Sequence, residues 1–128
     1  MAPTRKRAVW IGAAAALVLC TLTYAGHVLL LVVGAREGDV PPASAIPLPD
    51  DAQVVSEELD CGSGGCWLTV EVRPADGQSP DELATEVGSA PSLELTGNVL
   101  DPRTTYLWGE ADGDVLSIQA SYWSRTPV

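Results

Sequence analysis

The longest apolar run in the chain covers residues 8–35 and contains no charged side chain. Most of its residues are alanine, valine, leucine or isoleucine. A helix needs about 20 apolar residues to cross a hydrocarbon core of about 30 Å. The run therefore predicts a transmembrane helix over residues 8–35, either tilted or with its ends among the lipid headgroups.

Basic side chains precede this run, at Arg5, Lys6 and Arg7, and only Arg36 follows it closely. Because positive charge favours the cytoplasmic side, residues 1–7 are expected to form a cytoplasmic basic tip. A cleavable secretory signal has the same order of regions, and cleavage would leave a secreted domain. The apolar region of such a signal runs to about 7–15 residues, so the length of this run favours an uncleaved anchor.

Prolines dominate the segment that follows, residues 36–50. They stand at Pro41, Pro42, Pro47 and Pro49. Proline lacks an N–H donor and biases the preceding residue toward extended backbone, which disfavours a helix or a central strand. We expect an extended stalk over residues 36–50, and the alternative is a strap that lies on the following domain.

Apolar and polar residues alternate on both sides of the segment CGSGGC, residues 61–66. This pattern predicts an antiparallel hairpin closed by residues 62–65, because side chains alternate between the two faces of a strand. The expected register pairs Cys61 with Cys66, Leu59 with Leu68, Glu57 with Val70 and Val55 with Val72. One face of the hairpin is then apolar except for Glu57.

The segment GQSPDELATEVG, residues 77–88, carries the signals of a short helix. Ser79 suits the N-cap, Pro80 the first helical position, and Glu82 completes a capping box. Gly88 then ends the helix. Its apolar stripe, formed by Leu83, Ala84 and Val87, is expected to cover the apolar face of the hairpin.

Three further strands are predicted, at residues 93–96, 104–108 and 115–123. Period-two alternation marks the last of them as a strand with one buried face. The dipeptide Asp112-Gly113 predicts a hairpin turn before it. Residues 51–128 are therefore expected to form an α+β domain of order β-β-α-β-β-β, with one helix packed on an antiparallel sheet of about four or five strands.

Two cysteines around four small residues allow three interpretations. A structural disulfide between Cys61 and Cys66 is favoured, because opposed residues of antiparallel strands lie within disulfide range. A redox pair has C-x-x-C spacing, whereas four residues intervene here, and Asp60 would raise a thiol pKa. A zinc site needs about four ligands, and only Cys20 and His27 in the apolar run could be added. We expect no metal and no cofactor.

Charge divides the chain sharply. Residues 1–36 carry four basic and no acidic side chains, a net charge of +4, whereas residues 37–128 carry 17 acids and three arginines, a net charge of −14. Such an acidic surface repels phosphates, so nucleic-acid binding is excluded. Glu110, Asp112 and Asp114 lack the calcium-loop pattern of an EF-hand and are interpreted as turn residues.

Residue usage adds an indication of origin. The chain has one lysine, one asparagine and no phenylalanine, and is rich in alanine, glycine, valine and aspartate. This usage is typical of a GC-rich bacterial genome. With the basic tip, the single span, the Pro-rich segment and CGSGGCW, the layout resembles uncharacterised small single-pass membrane proteins of high-GC Gram-positive bacteria. The resemblance implies no particular site residues.

Catalytic chemistry is sparse in residues 51–128, which contain no histidine and no lysine. Pairs of nucleophile and histidine base are therefore absent, and we expect no enzyme. His27 lies in the apolar run, close enough to its end for an interfacial position.

Large aromatic side chains are enriched at protein interfaces, and they offer candidate partner contacts at Trp67, Trp108 and Trp123. The expectation is a single-pass protein of the cell membrane, with a cytoplasmic N-terminus and an acidic extracytoplasmic domain that binds or scaffolds proteins. Its partners would be the lipid bilayer, through the helix, and another membrane or envelope protein. The alternative from a different class is an extracytoplasmic ligand or cation sensor.

Overall fold

The structure is a computed structural model that describes residues 2–33, 39–63 and 65–122. The chain divides into two compact units, residues 1–35 and residues 36–128. We describe each unit by itself.

The first unit is one helix, α1, from Ala2 to Val33. It begins six residues before the predicted start and includes the basic residues 5–7, while residues 34–35 lie outside the described part of the chain. The stretch Thr4–Val33 is long and apolar enough to cross a membrane, and none of its most apolar window is buried within the structure. A cleavable signal near an N-terminus passes the same test of length and composition.

The second unit contains a five-stranded antiparallel sheet and one α-helix. Its elements are β1 (Gln53–Gly62), β2 (Gly65–Arg73), α2 (Pro80–Val87), β3 (Leu93–Leu95), β4 (Thr105–Asp112) and β5 (Val115–Ser121). The strands lie in the order β1-β2-β5-β4-β3, so β1 and β3 form the two edges. The predicted α+β class and the order β-β-α-β-β-β are confirmed.

The register of the first hairpin agrees with the prediction over most of its length. Leu59 lies opposite Leu68, Glu57 opposite Val70 and Cys61 opposite Cys66. The predicted pairing of Val55 with Val72 is wrong, because Val54 takes that position and the register shifts between Val54 and Ser56. Val55 is therefore the extra residue of a β-bulge, which sequence alternation alone does not reveal.

One face of the sheet, the inner face, holds the core. Its buried side chains come from the three central strands: Val70 and Val72 of β2, Leu116, Ile118 and Ala120 of β5, and Leu107 of β4. They are paired across the strands, since Val70 lies opposite Ile118 and Leu107 opposite Ala120. The alternation predicted for β5 is confirmed by the burial of every second residue.

Helix α2 covers part of this inner face with Leu83, Ala84 and Val87, all of them buried. The predicted capping box at Ser79 is present, and Gly88 ends the helix with a left-handed φ of 82°. The helix packs mainly on β4 and β5, not on the hairpin as predicted. The cause is connectivity, since the short link from Gly88 to Leu93 leads directly to β3, next to β4.

The Pro-rich segment is a strap on the domain over the described residues 39–50, so the predicted stalk is wrong there. Pro41 is fully buried, and Ile46 belongs to the core cluster with 5% of its surface exposed. Leu48 is partly buried against the same cluster. A helix of only eight residues does not cover the whole inner face, so apolar side chains between the prolines bury additional surface there.

The loop after α2 is joined to the middle of β4. The backbone N–H of Gly109 donates to the carbonyl oxygen of Ser89 at 3.0 Å. Ser89 is completely buried, and its hydroxyl has no hydrogen-bond partner within the described ranges. A Cβ at position 109 would overlap the Ser89 Oγ, so this close approach requires glycine.

Gly109→Ala is expected to lower the free energy of unfolding by about 1–3 kcal/mol, because the added methyl group overlaps Ser89 Oγ. Ser89→Ala removes that oxygen together with a buried polar group and is expected to cost less than Gly109→Ala. In the double variant the loss should be smaller than the sum of the single losses by at least about 0.5 kcal/mol. Urea unfolding of the detergent-solubilised full-length protein, followed by tryptophan fluorescence, measures all three, and additive losses would contradict the proposed contact.

Candidate functional site

The opposite side of the sheet, the outer face, carries the candidate partner contacts. We define it by the residues that alternate with the core positions: Ser56, Glu58 and Asp60 on β1, Trp67, Thr69, Glu71 and Arg73 on β2, Ser117, Gln119 and Ser121 on β5, Tyr106, Trp108, Glu110 and Asp112 on β4, and Glu94 on β3. The buried residues of α2 and of the strap belong to the inner-face cluster. In the described part of the unit, the outer face therefore has no second layer of secondary structure.

Three aromatic side chains stand on this outer face. Trp108 lies opposite Gln119 on β4 and has 37% of its surface exposed. Trp67 on β2 is half-buried, and its ring extends over Gly62, where an added Cβ would lie 3.4 Å from two ring carbons. Because β5 separates β2 from β4, the strands that carry the two tryptophans lie about 10 Å apart.

The third aromatic residue, Tyr106, is half-buried and lies opposite Ser121. The structure thus brings two of the three predicted contact residues, Trp67 and Trp108, onto one surface. The third, Trp123, lies outside the described residues.

Carboxylates surround the aromatic side chains. Six of the outer-face residues are acidic, and Arg73 is the one base among them: the acids are Glu58, Asp60, Glu71, Glu94, Glu110 and Asp112. Two of these carboxylates are held by neighbouring strands, because Thr69 Oγ1 donates to Asp60 Oδ2 at 2.7 Å and Ser56 Oγ donates to Glu71 Oε2 at 3.0 Å. The outer face therefore combines aromatic side chains with acidic side chains around them.

The predicted disulfide between Cys61 and Cys66 is present, with an S–S distance of 2.07 Å and a Cα–Cα distance of 4.1 Å. It closes the β1–β2 hairpin one residue pair before the turn, because Gly62 and Gly65 still pair beyond it. Cys61 is exposed and Cys66 half-buried. The bond joins the edge strand to its neighbour, and Cys20 on α1 carries a free thiol.

Across the described residues, no three histidine, cysteine, aspartate or glutamate side chains lie close enough together to hold a metal ion. Glu110, Asp112 and Asp114 lie around a two-residue hairpin turn, in which Gly113 has a φ of 62°. This is the turn predicted from Asp112-Gly113. His27 lies on α1 with its side chain exposed.

A second charged cluster, which sequence reasoning missed, centres on Arg103. The Arg103 guanidinium forms ion pairs with Asp39 and Asp101, and Nη2 lies 2.7 Å from Asp101 Oδ2. The Nε atom also donates to Asp101 Oδ1 at 2.8 Å, which makes the contact with Asp101 bidentate. The guanidinium carbon lies 3.8 Å from the centroid of the Tyr122 ring, a cation–π distance.

Arg103 changes the titration of its neighbours. Its hydrogen bonds hold the pKa of Asp101 below the usual aspartate value, although burial opposes this shift. Asp101 and Asp39 together raise the pKa of Arg103 further. Burial raises the pKa of Tyr122, although the charge of Arg103 opposes that shift.

The sequence signal for this cluster is faint. Arg103 is one of three arginines among 17 acids in residues 37–128. A scarce cation in an acidic domain favours ion pairing, but Asp39 is 64 residues away in the chain and nothing local identifies it as the partner.

No family model, curated protein or solved structure matches this chain.

Replacing both cysteines, Cys61→Ser with Cys66→Ser, is expected to lower the free energy of unfolding by about 2 kcal/mol. The reason is that the closed ring spans a sequence separation of five and restricts the unfolded chain. Urea unfolding of the full-length protein with and without a thiol reductant measures the effect, and Cys20→Ser is the matched control. A wild-type protein whose unfolding midpoint is unchanged by complete reduction would contradict this prediction.

Arg103→Gln is expected to cost about 1–3 kcal/mol at neutral pH, because two carboxylates lose their charged partner. Arg73→Gln on the outer face is the matched control and should stay within about 0.5 kcal/mol of the wild type. The wild type should also lose stability as the pH falls below about 4, since the lowered pKa of Asp101 favours folding only while that carboxylate is ionised. This acid loss should be smaller in Arg103→Gln. Urea unfolding across the acid range measures this loss of unfolding free energy. An equal loss in the wild type and in Arg103→Gln would contradict the role of the Asp101–Arg103 pair.

Proposed function

We propose that this chain is a single-pass membrane protein whose acidic C-terminal domain binds or scaffolds proteins outside the cytoplasm. The length and composition of α1, with basic residues at its start, support the anchor and its orientation. The disulfide supports an oxidising compartment, because such bonds are rare in the cytosol.

The observation that carries the binding role is Trp108, exposed on a sheet face that has no second layer in the described structure. Two more aromatic residues, Trp67 and Tyr106, share that face. Tryptophan and tyrosine are over-represented among residues that dominate binding energy, since they bury a large area at low entropic cost. The outer face of the sheet is therefore the docking surface in this proposal.

Charge complementarity defines the partner as a protein with a lysine- or arginine-rich segment. The outer face has six acids and one arginine, so a basic segment that lies across the strands is attracted to carboxylates on several of them. Basic side chains can also stack on exposed indole rings. Nucleic acids and phosphate ligands carry the wrong sign of charge for this surface.

An anchored domain meets other anchored proteins at high effective concentration, so a modest contact is sufficient for association. The proposal therefore places the partner among membrane or envelope proteins.

A photo-crosslinking amino acid at position 108 of the full-length protein, in cells that naturally make it, tests the proposal. We expect a discrete adduct in the membrane fraction, and the same amino acid at position 81, on the exposed side of α2, is the control. Glu58→Lys together with Glu110→Lys should reduce the adduct by roughly tenfold, because like charges then meet across the interface. Equal adducts from positions 108 and 81, or an adduct insensitive to the charge reversals, would contradict the proposed surface.

A further inference from the structure

The loop between β3 and β4 presents two adjacent aliphatic side chains to solvent. Val99 is 74% exposed and Leu100 is 78% exposed. Among the described large apolar residues of this unit, the next is Leu59 at 51%. Two neighbouring residues at this level are more than the scattered apolar exposure of an ordinary surface, so the loop tip is a candidate contact point.

The loop is held in shape by its own polar groups. Asn98 Oδ1 accepts hydrogen bonds from the backbone N–H groups of Leu100 and Asp101, both at 2.9 Å. The Asn98 N–H donates to the carbonyl oxygen of Asp101 at 2.8 Å. A Cβ at Gly97 would overlap the backbone of residues 101–103, so this turn also requires glycine. The two aliphatic side chains therefore stand on a preformed tip.

Arg103 fixes the base of this loop to the point where the chain enters the domain. Its ion pair with Asp39 joins the loop to the first described residue of the second unit. Only residues 34–38 separate Asp39 from Val33, the last residue of α1. Six peptide units span at most about 20 Å, so the chain allows at most that distance between Val33 and Asp39, the ion-pair partner of Arg103.

We propose that the Val99–Leu100 tip inserts into the interfacial region of the bilayer that α1 spans. The inference rests on the anchoring part of the proposed function and is separate from the docking surface on the outer face. Apolar side chains favour this environment, and Tyr122 and Arg103 beside the loop are of residue types common at membrane interfaces. The pairing of Asp101 with Arg103 also lowers the cost of bringing that carboxylate near lipid.

The short link to α1 makes a contact of only Val99 and Leu100 sufficient for lipid binding. A free domain with two exposed aliphatic residues would bind lipid weakly, but a short linker raises the effective concentration of the bilayer around the loop. Elsewhere the unit is strongly acidic, so we expect contact with a zwitterionic bilayer and a weaker contact with an anionic one.

Site-specific fluorescence on the full-length protein in vesicles tests this inference. An environment-sensitive thiol probe is attached at Leu100→Cys in a Cys20→Ser background, with the Cys61–Cys66 disulfide intact. The control carries the probe at Asp114→Cys, in the hairpin turn at the other end of β4. That turn lies about 25 Å along the strand from the loop, since β4 has eight residues. Vesicles of phosphatidylcholine contain either ordinary or brominated acyl chains.

At position 100 we expect emission at shorter wavelength and loss of fluorescence with brominated lipid, and at position 114 neither change. Val99→Asp should abolish both effects at position 100. Co-sedimentation of the protein with the vesicles reports anchoring separately. If the protein co-sediments but the emission at position 100 is not quenched, this inference is overturned and the anchor is not. A signal that depends on the ratio of protein to lipid would indicate contact between copies of the protein, and it would also overturn this inference alone. Failure to co-sediment overturns the anchor as well.

Discussion

The second unit depends on the burial of a single apolar layer on the inner face of its sheet. Val70, Ile118 and Leu107 contribute to that layer from the sheet, and Leu83 and Ile46 cover it from the opposite side. Leu83 comes from a helix and Ile46 from a proline-rich strap, so two unrelated segments complete one core. A domain of this size has little apolar surface in reserve, which explains why both the strap and a disulfide contribute.

Features set by neighbouring residues could be predicted from the sequence. The capping box at Ser79 and Glu82, the glycine that ends α2 and the pairing of Cys61 with Cys66 all depend on contacts within a few residues. Alternation along β5 likewise identified the strand and its buried face. These signals were enough for the class, the order of elements and most of the hairpin register.

Features set by distant residues could not be predicted in the same way. Ile46 enters the core because the folded sheet leaves space that α2 does not fill. The proline pattern around Ile46 does not indicate that this residue will be buried. The bulge at Val55 and the pairing of Arg103 with Asp39 depend on the assembled fold as well. For the candidate site, alternation along the hairpin puts Trp67 on the face opposite Cys66 and Leu68, whereas its common surface with Trp108 required the strand order.

Strand β1 has one more property that follows from its position. As an edge strand of ten residues, it has backbone groups that no strand of the described sheet pairs on its outer side. Such edges can recruit the edge of another molecule and extend into fibrils. Here Glu57, Glu58 and Asp60 give every copy the same negative charge along that edge, and the bulge at Val55 interrupts its regular spacing. The acidity of the hairpin therefore also disfavours polymerisation of this protein through its sheets, even where many copies crowd together.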